Sequence, residues 1–298
     1  MDNGKWKMEN DSVTPSAATV PQESMMPTAN VVRSRLSPKQ LANYHEEGYL
    51  VYPEPVFSAS KFAALKAHFE QMLAGLPSNV RPEGMIGPHY ANTALFEFLL
   101  DDAVLDLVEP ILGPDIALMG SHFICKSGGD GKRVPWHEDS AYWKDMMSTM
   151  EEVTVWLAID PSDSENGCMR VIPRTHHHGF SNYEPVDPAQ NVFGSEIRRQ
   201  ERDESRAVDI VLAPNQCSLH DAKLMHSSNP NTSPRRRCGY TMRYVSARTR
   251  LSPKYESSLH FYMARGRDLD GNNYGDPTRT YPEKILARNS NLRYGAHH

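Results

Sequence analysis

A histidine and an aspartate two positions apart, His137 and Asp139, are the residues whose types and spacing most directly suggest chemistry. On an extended strand, residues i and i+2 point to the same face, so this imidazole and carboxylate could converge on one metal ion while Glu138 points away. Two histidines and one carboxylate that leave other positions open are the ligand set of non-haem iron(II) oxygenases. The pair therefore predicts a metal site with a third ligand from a distant strand. Alone it is a weak signal, because a solvated turn could carry the same residues.

A second polar block supplies the missing ligand and a place for a co-substrate. His226 is followed by polar turn residues, and Arg237 opens the next run with strand character. An arginine on a neighbouring strand can hold a carboxylate through two parallel charge-assisted hydrogen bonds, and Ser228 could add a hydroxyl. A 2-oxo diacid needs such a cation, because the metal binds its 2-oxo acid end and leaves the far carboxylate free.

Four ordered blocks of the sequence agree in type and spacing with one known family. They are H-x-D-x-x-Y-W at 137–143, V-x-V-W-L-A-I-D at 153–160, E-N-G-C-M-x-V-I-P-x-T-H at 165–176, and H-x-S-x-x-N-x-S from 226 with an arginine after it. Over roughly residues 37–246, the sequence resembles the phytanoyl-CoA dioxygenase family. The resemblance implies a double-stranded β-helix (a jelly roll, cupin-like) with iron at its open end.

The resemblance also implies roles for the residues at the matching positions. These are His137, Asp139 and His226 as metal ligands and catalytic residues, Arg237 and Ser228 as binders of the far carboxylate of 2-oxoglutarate, and Trp156 and Lys126 beside the co-substrate. The implied cofactors are Fe(II), 2-oxoglutarate as co-substrate, and O2. A carboxylate at position 139 argues against halogenation, because related halogenases have Gly or Ala there and bind a halide in the vacated position.

The expected reaction oxidises a small organic substrate and releases succinate and CO2. Hydroxylation of a natural-product or secondary-metabolite intermediate is the preferred expectation, with desaturation, epoxidation and cyclisation as open alternatives. From other classes, a metal-dependent hydrolase with zinc on the same ligands and a catalytically silent jelly-roll binding module also compete. The presence of all three ligands and of Arg237 weighs against both.

Several residues near the metal motif are candidates for substrate binding or need to be separated from the ligands. Tyr142, Trp143 and Met146 follow the motif and are expected to line the substrate pocket. The polar, aperiodic segment 186–206 is expected to be a long surface loop that acts as a lid. His220 competes with His226 for the ligand position, but the family block favours His226 and makes His220 a neighbouring wall residue.

Composition excludes several classes of function. The chain has 298 residues, a formal net charge of -5 and a pI of about 6.2, so nothing indicates nucleic acid as a partner. The four cysteines form no C-x-x-C pair, and no apolar run reaches the ~20 residues that span a bilayer. The ends of the chain resemble neither a secretory signal nor a peroxisomal address, so we expect a cytoplasmic protein without a membrane partner. A homodimer is left open.

The distribution of residue types predicts helices first and strands later. Residues 1–35 have the composition of a disordered tail, and 36–298 are expected to form one domain with a C-terminal extension from about 250. Caps and apolar stripes predict helices from Pro38 to Gly48, after Ser58 or Ser60, and over Asp102–Leu112. Short β-branched and aromatic runs then predict strands at 116–126, 153–159, 207–213, 216–220 and 240–246. The fold class is therefore α+β, mainly β, with flanking N-terminal helices.

Overall fold

The helices of the chain lie mostly before its strands. A computed structural model describes residues 34–78 and 80–285, so nearly all of the predicted tail at 1–35 lies outside the described residues. The helices are α1 (Pro38–Glu47), α2 (Ala59–Ala74), α3 (Phe96–Leu99), α4 (Asp102–Leu112) and α5 (Ser140–Trp143), with several short 3-10 turns between elements. In the part of the chain so described, no helix is both long and apolar enough to cross a membrane.

The ends of α1 follow from local sequence. Ser37 accepts a hydrogen bond from the backbone of Gln40, whose side chain reaches back to the cap, and Gly48 ends the helix in the left-handed conformation at φ 81°. Both ends were predicted and are confirmed. The bounds of α4 are also confirmed, with Asp101 as its N-cap and Gly113 at its end.

The strands form a larger sheet, a smaller sheet and a separate hairpin, and every strand pair is antiparallel. The strands are β1 (Tyr49–Tyr52), β2 (Met85–Ile86), β3 (Ile116–Lys126), β4 (Val134–His137), β5 (Glu152–Ala158), β6 (Met169–Val171), β7 (Tyr183–Pro185), β8 (Ser195–Ile197), β9 (Val208–Ile210), β10 (Cys217–Asp221), β11 (His226–Ser228), β12 (Arg237–Ser246) and β13 (Tyr262–Arg265). The larger sheet has the order β1-β10-β5-β12-β3-β13, with β2 on β3; the smaller has β4-β11-β6-β9, and β7 pairs with β8.

The two faces of the larger sheet have different roles. One face packs with the helices in the main core, to which β5 and β12 contribute alternate residues such as Val155 and Tyr240. On the other face, Trp156 and Ala158 pack against Met169 and Val171 of the smaller sheet. The two sheets therefore lie face to face, and the space between them receives the alternate, more polar residues of β5, β10 and β12.

The predicted combination of N-terminal helices with a mainly β fold is confirmed, but two segments differ from expectation. The strand expected at 207–213 is limited to Val208–Ile210. The segment 186–206 is not an unstructured surface loop, since it contains β8 and the buried residues Glu196 and Ile197. The sequence of this segment has no periodic pattern. Contacts to residues that are distant in the chain hold the segment in place.

Candidate metal and co-substrate site

His137 and His226 occupy paired positions on adjacent strands of the smaller sheet. His137 is the last residue of β4 and His226 the first of β11, and the two ring centroids are 4.0 Å apart. Each ring donates from Nδ1 to the carbonyl two residues earlier, Pro135 and Leu224, at 2.9 Å in both cases. This arrangement fixes the tautomer and leaves both Nε2 atoms free to bind a metal.

Asp139 joins the two histidines, although not in the way its spacing suggested. The prediction that Asp139 shares a strand with His137 is wrong, because β4 ends at His137 and Asp139 has helical angles (φ -59°, ψ -35°) at the start of α5. The turn still brings its Oδ1 atom to 3.8 Å from His137 Nε2. Glu138 points away, as expected, and accepts a hydrogen bond from the Ser181 amide.

The three side chains together form a possible metal-ligand group. One ligand atom from each lies within 4.8 Å of the others, and all three residues are buried. Burial and the neighbouring His226 lower the pKa of His137 to about 3. Burial alone would raise the pKa of Asp139, but Arg243 and the nearby histidines outweigh it and hold that pKa below its ordinary value. His137 is thus neutral and Asp139 ionised at neutral pH, as metal binding requires.

The donor set fits Fe(II). Two imidazole nitrogens and one carboxylate leave coordination positions for a bidentate ligand and dioxygen. Asp139 Oδ2 is buried and has no hydrogen-bond partner among the described residues. The nearest cation, Arg243, is 3.6 Å away and makes no hydrogen bond to this oxygen, so a bound metal ion could provide the closer positive partner that a buried carboxylate requires.

His220 lies beside the metal ligands but outside their group. Its ring centroid is 4.9 Å from that of His226, on β10 of the opposite sheet. Burial lowers its pKa well below the ordinary value, and neither ring nitrogen has a hydrogen-bond partner among the described residues. The expectation of a wall residue agrees with this position.

The second predicted cluster lies where β12 begins. Arg237 is buried, and its Nε and Nη2 atoms donate to the Gly167 carbonyl at 3.0 and 2.6 Å. Nη2 also lies 3.4 Å from the Ser228 hydroxyl. No carboxylate of the described residues forms an ion pair with Arg237, so this guanidinium can accept an external one.

Lys126 and Trp156 both lie near this arginine. Lys126 is the register partner of Arg237, and its Nζ atom donates to the Asn229 and Ser228 carbonyls at 2.5 and 3.3 Å. Burial, and then the charge of Arg237, lower the pKa of Lys126 well below its ordinary value. The Arg237 guanidinium lies 5.4 Å from the Trp156 ring centroid. The structure therefore brings together all four residues that were assigned to the co-substrate.

Two glycines of this cluster were missed by the sequence reasoning. Gly167 supplies the carbonyl that orients Arg237, and Gly239 leaves room for Trp156. An isolated glycine inside a strand signals close approach of another group, and Gly239 shows that signal. Gly167 is part of the E-N-G block, and its positive φ of 75° explains the residue type.

The three predicted substrate residues divide into two groups. Tyr142 is 36% exposed, and its ring centroid lies 6.2 Å from that of His137. Trp143 and Met146 instead pack on an apolar cluster formed with the C-terminal region, whose buried members are Ala117, Met119, Met147, Val245, Leu251, Leu259 and Phe261. The extension from about 250 therefore contributes to the wall beside the metal motif.

Two further residues near the His137, Asp139 and His226 group were not found from the sequence. Phe193, in the segment 186–206, has its ring centroid 4.9 Å from that of His137 and 5.8 Å from that of Tyr142. Arg243 has its Nε atom 3.6 Å from Asp139 Oδ2. No local sequence pattern marks Phe193 as a residue of this site. For Arg243, alternation along the strand from Arg237 does place both arginines on the same face of β12.

Comparison with known proteins agrees with this geometry. The family described as phytanoyl-CoA dioxygenase (PhyH) matches residues 44–239. A phytanoyl-CoA dioxygenase domain-containing protein 1 homolog from Dictyostelium discoideum is 30% identical over 162 residues, 53% of this chain and 56% of the relative. Ectoine dioxygenase from Sphingopyxis alaskensis is 23% identical over 257 residues, 77% of this chain and 83% of that enzyme.

A solved structure with the same overall fold is the apo form of the non-haem monooxygenase ThoJ. It has a TM-score of 0.66 at 21% identity and covers 86% of this chain and 95% of its own. The described residues thus have the fold of a non-haem oxygenase, with a two-histidine, one-carboxylate group between its sheets. The chain belongs to the phytanoyl-CoA dioxygenase family, as the sequence resemblance indicated. The match to the Dictyostelium relative spans little more than half of that protein.

Proposed function

We propose that the chain is an Fe(II)- and 2-oxoglutarate-dependent dioxygenase whose two sheets form a jelly roll. The observation that carries the proposal is the combination of two sites between the sheets. One is the His137, Asp139 and His226 group, and the other is the buried Arg237 with the Ser228 hydroxyl and no internal carboxylate. A hydrolase needs the first site and has no use for the second.

The residues have distinct tasks in this function. When bound, Fe(II) and 2-oxoglutarate supply dioxygen activation, in which 2-oxoglutarate is oxidised to succinate and CO2 and the substrate receives one oxygen atom. His137, Asp139 and His226 would hold the metal, and a set of three protein ligands leaves coordination positions for the co-substrate and dioxygen. Arg237 and Ser228 bind the far carboxylate, which orients the co-substrate.

Further residues hold these groups in place. Trp156 lies beside the Arg237 guanidinium. Lys126 fixes the chain after β11 through the carbonyls of Ser228 and Asn229. The protein thus orients the reactants in a buried site, while the metal and the co-substrate supply the oxidation chemistry.

The substrate is proposed to be a small organic molecule, hydroxylated as an intermediate of natural-product or secondary metabolism. Support comes from the relatives, since ectoine dioxygenase is named for a small molecule. Tyr142 and Phe193 line the approach to His137, and Trp143 and Met146 provide an apolar wall. Desaturation, epoxidation and cyclisation stay open as outcomes. One domain over 36–298, a lid at 186–206, a cytoplasmic location and a homodimer remain predictions.

The test is the visible spectrum of the protein under anaerobic conditions. Purified metal-free protein is mixed with Fe(II), with 2-oxoglutarate, and with both. A weak charge-transfer band that requires both components is expected, because only a chelated 2-oxo acid on an open iron site produces it. Iron that stays unbound, or a spectrum that does not respond to 2-oxoglutarate, would favour the hydrolase or the silent binding module.

A further inference from the structure

A second arginine, Arg243, lies on the same face of β12 as Arg237, next to the metal ligands. Alternate residues of a strand share a face, so the two side chains both enter the space between the sheets. Across the larger sheet, Arg243 is in register with Thr154 of β5 and Gly120 of β3. Gly120 places no side chain beside the guanidinium.

The contacts of Arg243 hold its side chain in place but leave one of its hydrogen-bond donors without an acceptor. Its Nη1 atom donates to the Thr241 hydroxyl at 2.9 Å, and its guanidinium lies 5.3 Å from the Trp143 ring centroid. Its Nε atom is 3.6 Å from Asp139 Oδ2, which is too long for a hydrogen bond. Arg243 Nε and Asp139 Oδ2 are both buried and lack a hydrogen-bond partner among the described residues.

The charges between the sheets do not balance once the metal and co-substrate are present. Asp139 and the two carboxylates of 2-oxoglutarate would carry three negative charges, which Fe(II) and Arg237 would together neutralise. Two other buried groups change this balance little, because burial raises the pKa of Glu152 and lowers that of Lys126 and so favours the neutral form of each. Asp139 is the one carboxylate in ion-pair contact with Arg243 in the described part of the chain, and the metal shares it. Arg243, whose side chain is 15% exposed, then has only a shared counterion, which is costly for a charge that is largely removed from water.

An apolar wall adjoins this charge. Val245 follows Arg243 two positions along β12 and packs with Met119, Met147 and Phe261. Trp143 belongs to both environments, because it lies against the guanidinium and against this cluster. A ligand next to the metal therefore meets a cation and an apolar surface at once.

We propose that Arg243 binds an anionic group of the substrate, so that the enzyme acts on organic acids, carboxylates above all, that have an apolar body. The inference rests on the proposed dioxygenase function and specifies the substrate class of the same site. Arg237 takes the carboxylate of the co-substrate, and Arg243, six residues further along the strand, takes the acid group of the substrate.

The test compares acids with matched amides that have no charge. Protein loaded anaerobically with Fe(II) and saturating 2-oxoglutarate is titrated with 4-phenylbutyrate or its primary amide, and with hexanoate or hexanamide. Binding is followed by the change in the charge-transfer band and by tryptophan fluorescence. We expect each acid to bind about tenfold or more tightly than its amide, as a charge-assisted hydrogen bond provides.

Variants show whether Arg243 is responsible for the preference. Arg243→Gln should lose it, and Arg243→Lys should keep part of it, because a cation remains. Arg250→Gln, which changes an exposed arginine paired with Asp270, is the matched control and should discriminate as the wild type does. The acid-to-amide ratio is measured within each protein, so a change in metal or co-substrate affinity that affects both ligands alike cancels from it.

Several results would overturn the inference. They are equal binding of acid and amide to the wild type, no response to any acid, a preference that survives in Arg243→Gln, or acids that abolish the band by displacing 2-oxoglutarate. If the wild type forms no band at all, the proposed function fails instead. The fluorescence titration is then repeated on protein loaded with Zn(II), where loss of the acid preference in Arg243→Gln still supports the anion site and its persistence refutes it.

Discussion

Trp156 occupies the space in which a side chain on Gly239 would have to lie. A Cβ atom at position 239 would be 2.0 Å from Trp156 Cζ2, a distance that no real contact reaches. Trp156 in turn lies 5.4 Å from the guanidinium of Arg237. Gly239 therefore leaves the space that Trp156 needs in order to lie beside Arg237.

Replacing Gly239 by alanine should weaken 2-oxoglutarate binding indirectly, through Trp156 and Arg237. The added methyl group displaces Trp156, so Arg237 loses its support, and overpacking of this kind costs about 1–3 kcal/mol of stability. Isothermal titration of metal-loaded protein and thermal unfolding measure the two effects. Gly84→Ala is the control, because nothing lies within 4 Å of a Cβ atom there. Equal 2-oxoglutarate affinity in both variants would show that Trp156 does not support Arg237.

The two neighbouring histidines His226 and His220 should respond differently to alanine substitution. His226→Ala removes a ligand and should lower Co(II) or Fe(II) affinity by more than the ~10–100-fold that loss of an outer partner costs. His220→Ala should cost no more than that range, since His220 lies outside the ligand group. Metal titration followed by the visible spectrum of Co(II) gives both values. If His220→Ala abolishes metal binding and His226→Ala retains it, the ligand assignment is wrong.

Adjacent arginines provide a matched pair for the co-substrate site. Arg237→Gln should raise the dissociation constant of 2-oxoglutarate by roughly 30-fold or more, because truncating a buried charge pair costs ~2–5 kcal/mol. Iron binding should persist. Arg236→Gln is the control, since Arg236 points to the other face and pairs with Asp160 and Glu70. The charge-transfer band, titrated with 2-oxoglutarate, separates the two variants; an unchanged midpoint in Arg237→Gln would refute the assignment.

The pKa of His137 predicts how stability of the metal-free protein depends on pH. The ordinary histidine pKa is about 6.5, and in the folded state the pKa of His137 is lowered to about 3. Between these values the unfolded chain binds a proton that the folded chain does not. The free energy of unfolding should therefore fall as pH decreases through this window, by up to ~1.4 kcal/mol per pH unit from this residue. Urea unfolding between pH 7 and 4 measures the slope.

The control for this dependence is His137→Gln, which removes the titrating group and keeps an amide of similar length. Its slope should be shallower than that of the wild type, since all other groups remain. Parallel slopes would mean that His137 titrates normally in the folded protein.

The sequence revealed those site residues whose positions depend on local structure. His137, His226 and Arg237 were identified because each lies in a block whose spacing is tied to a strand. Asp139 does lie in the group that could hold a metal, but it was placed on the wrong element, because strand alternation was extended past the last residue of β4. The ends of α4 were predicted because caps act within one turn.

The residues that the sequence did not reveal are positioned by distant partners. Phe193 reaches His137 from a segment without any periodic pattern. Arg243 belongs to a predicted strand, but its proximity to Asp139 depends on how the two sheets face each other. Such contacts follow from the packing of the whole fold, and no local rule shows them.

Glu196 is the residue that fastens the segment 186–206 beside the metal motif. Its Oε1 atom accepts a hydrogen bond from the Trp136 amide at 3.0 Å and pairs with Arg133, and its Oε2 atom accepts from Arg202 at 3.0 Å. The side chains of Glu196 and Arg202 are both largely buried. The charge of Glu196 thus compensates Arg133 and Arg202. These contacts lie beside Trp136, the residue that precedes His137.

Glu196→Gln should therefore loosen this segment and withdraw Phe193 from the metal site. The substitution keeps the size of the side chain but removes the charge that pairs with both Arg133 and Arg202. Because Glu204 remains a partner of Arg202 at 2.9 Å, the expected cost is about 1.5–3 kcal/mol. Limited trypsin digestion measures the effect, because the segment contains cleavable arginines at Arg198, Arg199, Arg202 and Arg206. Glu201→Gln is the control, since Glu201 is an exposed partner of Asn182 in the same segment. Equal digestion rates for both variants would mean that Glu196 does not hold the segment, and the lid proposal would lose its physical basis.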